Sequence, residues 1–267
     1  MLTNNEFLEI STFVKKNYGI NLTKEKKALI ISRLENYIRE NGYGDFSNYM
    51  QIVKTDITGK LMLEFLNRIT TNHSYFWRER DHFDYFKKII LPQMKHKKHE
   101  HDIRIWSAGC SSGQEAYTLA MITDDFFGIE KKDWNTQILA TDISDKVLSV
   151  ARNGSYKSGD VIEVPNYYFK KYFNKVDTDQ VEIRSELKKE IIFRRLNLLS
   201  KYPFKKKLDV IFCRNVMIYF DFETKHEIMK KFYNILDDGG YLFIGHSESL
   251  DRKIIPFEYI QPSIYRK

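Results

Sequence analysis

Hydrophobic residues in the first quarter of the chain recur every three or four positions, as Phe7, Ile10 and Val14 do. This spacing places them on one face of a helix. It predicts four successive helices, over 7–18, 24–40, 45–54 and 61–70. A fifth is expected over 79–91, ending before Pro92 because the residue before a proline disfavours helical backbone. We therefore predict an all-helical N-terminal domain over 1–78, followed by a connecting helix and segment over 79–101.

The pattern changes after the polar run "KHKKHEHD", where short apolar stretches begin to alternate with helical ones. Strands are predicted over 103–108, 137–141, 208–214 and 241–246, with helices over 114–127 and 223–236. Such alternation predicts a mostly parallel sheet with helices on both faces. The fold class is thus α/β, a doubly wound domain over 102–267. Its ligands are expected beyond the carboxyl ends of the strands.

Residues 155–192 interrupt this alternation. They contain the aromatic and β-rich pieces "YYFKKYF", "VEIRSEL" and "IIFRRL", with the turn-like "NKVDTD" between the first two. We interpret the stretch as a small antiparallel β insertion in the parallel domain.

Composition narrows the class of protein. The 267 residues are 42% hydrophobic and 30% charged, as in a soluble globular protein. No apolar run approaches the roughly 20 residues of a membrane span, and the start "MLTNNEFLEI" lacks the pattern of a secretory signal, so a cytoplasmic location is expected. The net charge of +7 favours an acidic partner surface or a nucleic acid without choosing between them.

Metal chemistry is not expected. The only cysteines, Cys110 and Cys213, lie in separate apolar segments, which indicates buried reduced thiols. His96, His99 and His101 lie in a lysine-rich connection without a cysteine partner, and we interpret that stretch as a solvated loop. His246 is expected either near the rim of a site or at the end of the last parallel strand.

The stretch "IRIWSAGCSSGQEAYTLAM" (103–121) predicts a strand, a tight turn and a helix. Gly109 and Gly113 would let the backbone approach a ligand, although their spacing does not match the dinucleotide fingerprint. The next predicted strand ends near Asp142, whose carboxylate could accept both ribose hydroxyls. Asp142 fits equally well as the N-cap of the following helix.

The charge beside the glycines distinguishes between adenosine cofactors. A pyrophosphate favours Lys or Arg after the turn, whereas this chain has Gln114 and Glu115. A carboxylate there suits a cationic ligand, and the adenosine cofactor with an ammonium and a sulfonium is S-adenosylmethionine. The alternative is that Glu115 is an acidic first-turn residue favoured by the helix dipole.

Six motifs in this order resemble those of the CheR chemotaxis receptor glutamate methyltransferases. They are "RITTNHSYFWRERDHF" (68–83), "WSAGCSSGQEAYTLAM" (106–121), "LATDISDKVLSVARNGSY" (139–156), "NLL" (197–199), "CRNVMIYF" (213–220) and "GGYLFIGHSE" (239–248). The resemblance spans nearly the whole chain. It implies a Rossmann-like methyltransferase domain, S-adenosylmethionine as cofactor, S-adenosylhomocysteine as product, and glutamate γ-methyl esters formed on acidic cytoplasmic helices of methyl-accepting chemotaxis receptors.

The resemblance also implies roles for single residues. Cofactor contacts are expected from Asn72, Ser74, Arg78, Gly109, Glu115, Asp142, Asn197, Leu198, Arg214 and Asn215. Glu115 would lie near the methionyl part, Asp142 at the ribose, and Asn197 with Leu198 beside the adenine. Family members usually have Thr where this chain has Ser74, and commonly a second acid where it has Gln114.

Chemistry supports two catalytic assignments. A substrate glutamate, with an unperturbed pKa of about 4.3, is ionised at neutral pH and needs no general base. The remaining task of the enzyme is to position the reacting groups. We expect Arg78 to hold the incoming carboxylate and Tyr219 to hydrogen-bond it or line the methyl channel. The alternative for Tyr219 is a buried aromatic at a strand-to-helix junction.

The receptor is expected to meet the helical domain. Lys26 and Arg33, seven residues apart, predict a basic side of the second helix facing acidic receptor helices, with a solvated face as the alternative. The connection "NKVDTDQ" in the insertion is short and lacks glycine, so no receptor C-terminal tether is expected there. We also expect a monomer.

Two other functions are compatible with this fold class. Nucleic-acid enzymes that methylate amino groups usually carry two prolines where this chain reads "CRNVMIYF". The thiol of an enzyme that methylates cytosine carbon usually follows a proline, whereas Cys213 follows Phe212. We therefore expect no nucleic-acid substrate. A nonenzymatic module that senses S-adenosylmethionine stays open.

Overall fold

The computed structural model describes residues 2–69, 74–250 and 255–267. Its first unit comprises Met1–Asn72 with Tyr219–Lys225. The unit's helices are α1 (Asn4–Tyr18), α2 (Lys27–Glu40), α3 (Phe46–Thr55) and α4 (Lys60–Ile69). All four predicted helices are present. The second begins three residues late because Lys24–Lys26 form a 3₁₀ turn before it.

Local capping and buried side chains fix this helical unit. Thr3 and Glu6 form a capping box at the start of α1. Leu34, Tyr49 and Phe65 are almost fully buried. The segment Tyr219–Lys225 packs here although it lies late in the sequence: the N–H of Asn21 donates to the carbonyl of Tyr219 at 2.7 Å.

The second unit comprises His73–Ile218 and His226–Lys267. Helix α11 (Phe222–Ile235) begins in the segment assigned to the first unit and continues in the second. The other elements of the second unit are α5 (Arg80–Tyr85), α6 (Leu91–Lys97), β1 (Ile105–Ala108), α7 (Gln114–Phe127), β2 (Ile138–Asp142), α8 (Asp145–Asn153), β3 (Ser155–Lys157), α9 (Asn166–Tyr172), β4 (Phe173–Lys175), β5 (Gln180–Ile183), α10 (Ser185–Lys188), β6 (Ile191–Arg195), β7 (Leu208–Cys213), β8 (Leu236–Ile244), β9 (Glu258–Gln261) and β10 (Ile264–Arg266).

The main sheet has seven strands in the order β6-β2-β1-β7-β8-β10-β9. The first five are parallel, and β10 and β9 continue the sheet antiparallel. Every residue of β1 and β7 is buried, as expected for central strands covered on both faces. The doubly wound domain predicted from the alternating pattern is confirmed. Its parallel strands end on one edge, where the loops carrying the candidate site lie.

The helix expected to end before Pro92 continues to Lys97, so that prediction was wrong. A π-helical turn, Phe86–Ile90, follows α5, and α6 then begins with Pro92 in its first turn. Proline is tolerated there because the first turn of a helix needs no backbone N–H donor.

The antiparallel insertion is confirmed as a three-stranded sheet in the order β3-β5-β4. Two of its expected pieces were assigned wrongly. "YYFKKYF" forms mostly α9, because Tyr168 and Tyr172 bury at helical spacing. "IIFRRL" supplies β6, which pairs parallel to β2 with Ile191 opposite Ile138 and so belongs to the main sheet.

Among the described residues, no helix combines the length and the apolar character needed to cross a membrane.

Candidate cofactor site

The loop after β1 owes its shape to two glycines in left-handed conformations, Gly109 (φ +85°) and Gly113 (φ +96°). A Cβ on Gly109 would lie 2.4 Å from a methyl carbon of Val216, and one on Gly113 would lie 2.9 Å from Cβ of Ala151. Both glycines are therefore required by the chain's own packing. The predicted approach of a ligand to Gly109 is a separate proposal.

Asp142 fastens this loop to the end of β2. Its two carboxylate oxygens accept the backbone N–H groups of Ser111 and Ser144, each at 2.9 Å. Ser144 is the N-cap of α8, so the alternative prediction that Asp142 caps this helix was wrong. Burial raises the pKa of Asp142, and the two N–H donors oppose the rise. Each oxygen keeps accepting capacity for a further donor such as a ribose hydroxyl.

Glu115, in the first turn of α7, reaches across the strand ends. Its Oε1 accepts the hydroxyl of Ser107 on β1 at 2.7 Å, and its Oε2 lies 3.5 Å from a terminal nitrogen of Arg214. Burial raises the pKa of Glu115, although the Arg214 charge opposes the rise. The side chain thus places negative charge beside the glycine loop.

Arg214, the residue after β7, is buried and is the charge centre of the site. It donates from Nε to Oε2 of Glu79 at 3.2 Å and from a terminal nitrogen to the carbonyl of Arg78. Its guanidinium also lies over the ring of Phe83, 5.0 Å from the centroid. These contacts fix the segment that carries Arg78 against the carboxyl end of the sheet.

Glu79 joins three loops at this edge. Besides Arg214, it accepts the side-chain amide of Asn215 and the backbone N–H of His246, both at 3.2 Å. Burial opposes the charged form, but Arg214 and these donors prevail and lower the pKa of Glu79. Its backbone is left-handed (φ +56°), a conformation that non-glycine residues adopt at a cost and often near functional sites.

Glu248 ties the loops after β7 and β8 together. Its carboxylate accepts the backbone N–H groups of Asn215 at 2.9 Å, Gly245 at 2.6 Å and Ile218 at 3.2 Å. Asn215 is left-handed (φ +58°). The backbone N–H of Asn215 thus binds Glu248, and its side-chain amide binds Glu79. A contact of Asn215 with a cofactor stays a prediction.

The loop after β6 completes the edge. Asn197 accepts the N–H of Leu199 with its side chain at 2.9 Å, and Leu198 is buried. The carbonyl of Leu198 accepts the hydroxyl of Tyr202 at 3.0 Å. Leu196, directly before the pair, donates its N–H to the carbonyl of Asp142 at 3.0 Å, so Asn197 and Leu198 follow the end of β2 closely.

Two polar atoms, one in the glycine loop and one directly after β7, are buried and have no hydrogen-bond partner within 2–69, 74–250 and 255–267. They are the hydroxyl of Ser111 and one terminal nitrogen of Arg214. Buried polar atoms are usually paired, so these two indicate a polar ligand. Two carboxylates share one guanidinium here, which leaves negative charge for a cationic ligand.

Comparisons with known proteins agree with this chemistry. Residues 5–70 match the model of the CheR methyltransferase all-alpha domain, and residues 72–265 match that of the CheR methyltransferase SAM binding domain. This chain belongs to the CheR methyltransferase family. It is accordingly an S-adenosylmethionine-dependent methyltransferase, as the resemblance implied.

Similar proteins match over nearly their full length. A chemotaxis protein methyltransferase of Borreliella burgdorferi is 42% identical, with 100% of this chain and 95% of that protein covered. Chemotaxis protein methyltransferase 1 of Pseudomonas aeruginosa is 33% identical, with 98% of each chain covered.

Membership of the CheR family leaves several predicted site residues without a structural test. Asn72 lies outside the described residues. Ser74 is half-buried, and the guanidinium of Arg78 lies 5.8 Å from the ring centroid of Tyr75. Tyr219 belongs to the segment that packs with the helical unit. Their roles toward cofactor and substrate stay predictions.

The two predicted receptor-binding residues have contacts within the helical unit. Arg33 donates to the carbonyls of Arg68 and Ile69 at the end of α4, at 3.3 and 3.1 Å. Lys26 ends the 3₁₀ turn before α2 and donates to the carbonyl of Asn21 at 3.5 Å. The two side chains are therefore not on one continuous helix as expected.

Of the three histidines in the lysine-rich connection, His96 lies in α6 and not in the expected loop, and all three are exposed. His101 stacks on Trp134, with 4.5 Å between ring centroids. Glu79, His82 and His246 bring one donor atom each within 4.8 Å of one another. Arg214 already compensates the Glu79 charge, so a cation there would meet a buried guanidinium, and we assign the cluster to holding the loops. His246, which follows Gly245 after β8, pairs with Asp81 at 3.1 Å.

Glu79 and Glu248 are residues of the candidate site that the sequence did not predict. Each carboxylate joins loops that are far apart in the sequence. The available signal was their place inside quoted motifs, "WRERD" and "GHSE", next to residues that were singled out.

Proposed function

We propose that this enzyme forms γ-methyl esters on glutamates of the cytoplasmic helices of methyl-accepting chemotaxis receptors, with release of S-adenosylhomocysteine. The observation that carries the proposal is the acid-rich site at the strand ends, where Glu115 and Glu79 share one arginine and Asp142 closes the loop. The relatives named above are chemotaxis protein methyltransferases, which supports a chemoreceptor as the substrate.

The chain's own residues have three tasks in this reaction. S-adenosylmethionine supplies an electrophilic methyl group and a neutral thioether leaving group. Asp142 would hold the ribose, and Glu115 would hold the cationic methionyl end. Arg78 would orient the substrate carboxylate, and Tyr219 would hydrogen-bond it or line the methyl channel, so that alignment rather than proton transfer accelerates the reaction. No residue needs to act as a base, because the substrate carboxylate is already ionised.

The test is transfer of a labelled methyl group from S-adenosylmethionine to membranes that contain a chemoreceptor. We expect label in the receptor that mild base releases as methanol, since esters are base-labile. A receptor whose methylation-region glutamates are replaced by alanine is the control and should stay unlabelled. Base-stable label, or label in nucleic acid added to the assay, would contradict the proposal.

A further inference from the structure

The charges at the strand ends do not balance. Glu79 and Glu115 both approach Arg214, one at 3.2 Å and the other at 3.5 Å. A single guanidinium therefore faces two carboxylates in a largely buried setting, where charge interactions are stronger than in water. Which carboxylate the arginine neutralises decides where the remaining negative charge lies.

The hydrogen bonds of Arg214 go to one side. Its Nε donates to Glu79, and one terminal nitrogen donates to the carbonyl of Arg78. The other terminal nitrogen, which faces Glu115, has no hydrogen-bond partner among the described residues. Because hydrogen-bonded ion pairs are the strong ones, Arg214 is committed to the Glu79 side.

Glu79 is itself held in place. The amide of Asn215 and the N–H of His246 bind its Oε1, while Arg214 binds its Oε2. The buried ring of His82 lies 3.4 Å from the same Oε2. The Glu79 carboxylate is thus a fixed acceptor that keeps the guanidinium from turning toward Glu115.

We propose that Glu79 is a positioning residue for the cofactor, which holds Arg214 and thereby leaves the Glu115 carboxylate without a hydrogen-bonded counter-charge, so that it can pair with the cationic methionyl end of S-adenosylmethionine. This rests on the cofactor-site role given to Glu115 in the proposed function. Without the Glu79 charge, Arg214 is released to pair with both oxygens of Glu115. The site then loses its attraction for the cation but keeps its contacts to the adenosine.

The experiment compares two ligands that share the methylthioadenosine part, one with and one without the charged methionyl chain on the sulfur. Binding of S-adenosylmethionine and of neutral 5′-methylthioadenosine is measured by calorimetry for the wild type and Glu79→Gln. We expect the variant to bind S-adenosylmethionine about tenfold more weakly, the size of one charge-assisted hydrogen bond, and 5′-methylthioadenosine within twofold of wild type. Asp81→Asn removes a neighbouring charge without touching Arg214 and should leave both affinities within twofold.

A second background tests the route through Glu115. In Glu115→Gln, the added Glu79→Gln change should cost at most twofold in affinity for S-adenosylmethionine, because no charge remains for Arg214 to neutralise. The same tenfold loss in both backgrounds would show a direct effect of Glu79 and overturn the proposal. An equal loss of affinity for both ligands in Glu79→Gln would overturn the proposal as well. Unchanged affinity for both ligands would also overturn it.

These outcomes are separable from failure of the proposed function. Absence of S-adenosylmethionine binding by the wild type would refute the proposed cofactor site itself. Binding with the expected discrimination, but without ester formation on receptors, would refute the proposed substrate and leave the role of Glu79 standing.

Discussion

The carboxylate of Asp142 accepts the backbone N–H of Ser111 at 2.9 Å, which joins the end of β2 to the glycine loop after β1. One side chain therefore shapes the loop and faces the place expected for the ribose. Asp142→Ala should weaken S-adenosylmethionine binding by about 1.5–3 kcal/mol, the scale of a lost hydrogen bond to a charged group. Titration calorimetry measures it.

The neighbouring cap provides the control for Asp142. Ser144→Ala removes the side-chain acceptor for the N–H of Val147 and should cost about 1 kcal/mol of stability, with the dissociation constant of the cofactor unchanged within threefold. If Asp142→Ala bound S-adenosylmethionine as tightly as the wild type, Asp142 would have no part in the site.

Arg78 and Tyr219 are expected to act on the reacting groups more than on the adenosine. Arg78→Lys keeps the charge but loses the bidentate fork, so we expect kcat to fall about a hundredfold, with the affinity for S-adenosylmethionine within fivefold of wild type. Tyr219→Phe should lower kcat less, because it removes one hydroxyl and keeps the ring. Steady-state kinetics on receptor membranes separate kcat from KM. Unchanged kcat in either variant would remove that residue from the mechanism.

Elements held by contacts between residues close in the sequence could be predicted, whereas those held by contacts between distant residues could not. Helix α7 was predicted at its observed bounds, 114–127, because Gly113 marks its start and Gly128 its end, although burial of all of 116–123 leaves little helical periodicity to read. The run "YYFKKYF" was misassigned because aromatic residues favour strands by propensity, whereas tertiary packing selects the helical spacing of Tyr168 and Tyr172.

Within the site, Asp142 and Glu115 could be found because each follows a recognisable strand or glycine turn. Glu79 was missed although it stands in a quoted motif, because its contacts arise where three loops meet and its left-handed backbone follows from no local pattern. The ion pair between Arg214 and Glu79 likewise joins residues that are 135 positions apart in the sequence.

Buried His82 predicts an acid-sensitive fold. Burial, with Arg214 nearby, lowers the pKa of His82 to about 4, below its usual value of 6.5. Between pH 6.5 and 4 the unfolded chain therefore takes up a proton that the folded chain does not, and stability falls with falling pH by up to about 1.4 kcal/mol per pH unit. In His82→Phe this contribution disappears.

Chemical denaturation at pH 7, 6, 5 and 4.5 measures this effect. The difference in unfolding free energy between His82→Phe and wild type should shift in favour of the variant as the pH falls. A constant difference over this range would show that His82 titrates normally in the folded state.

The expected receptor contact needs a variant that spares the helical unit. Arg33 binds the carbonyls at the end of α4, so its reversal would destabilise the helices as well as change charge. We therefore choose Lys26→Glu, which should raise the KM for receptor about threefold at low salt and less at high salt, where charges are screened. Lys132→Glu makes the same net charge change on the exposed turn Gly128–Asp133 and is the control. Equal KM values for the two variants would favour an ordinary solvated face.

The antiparallel insertion predicts that receptors need no C-terminal tether. Its edge strands, β3 and β4, have three residues each, which limits the backbone pairs that an added peptide strand could form. The β4–β5 hairpin contains no glycine, and Asp177 already accepts the N–H groups of Asp179 and Gln180 at 2.7 and 2.8 Å. Initial methylation rates should be equal for intact receptor and for receptor lacking its C-terminal tail. A loss of about tenfold or more on truncation, the scale expected when the effective concentration from a tether disappears, would instead identify the insertion as a docking site.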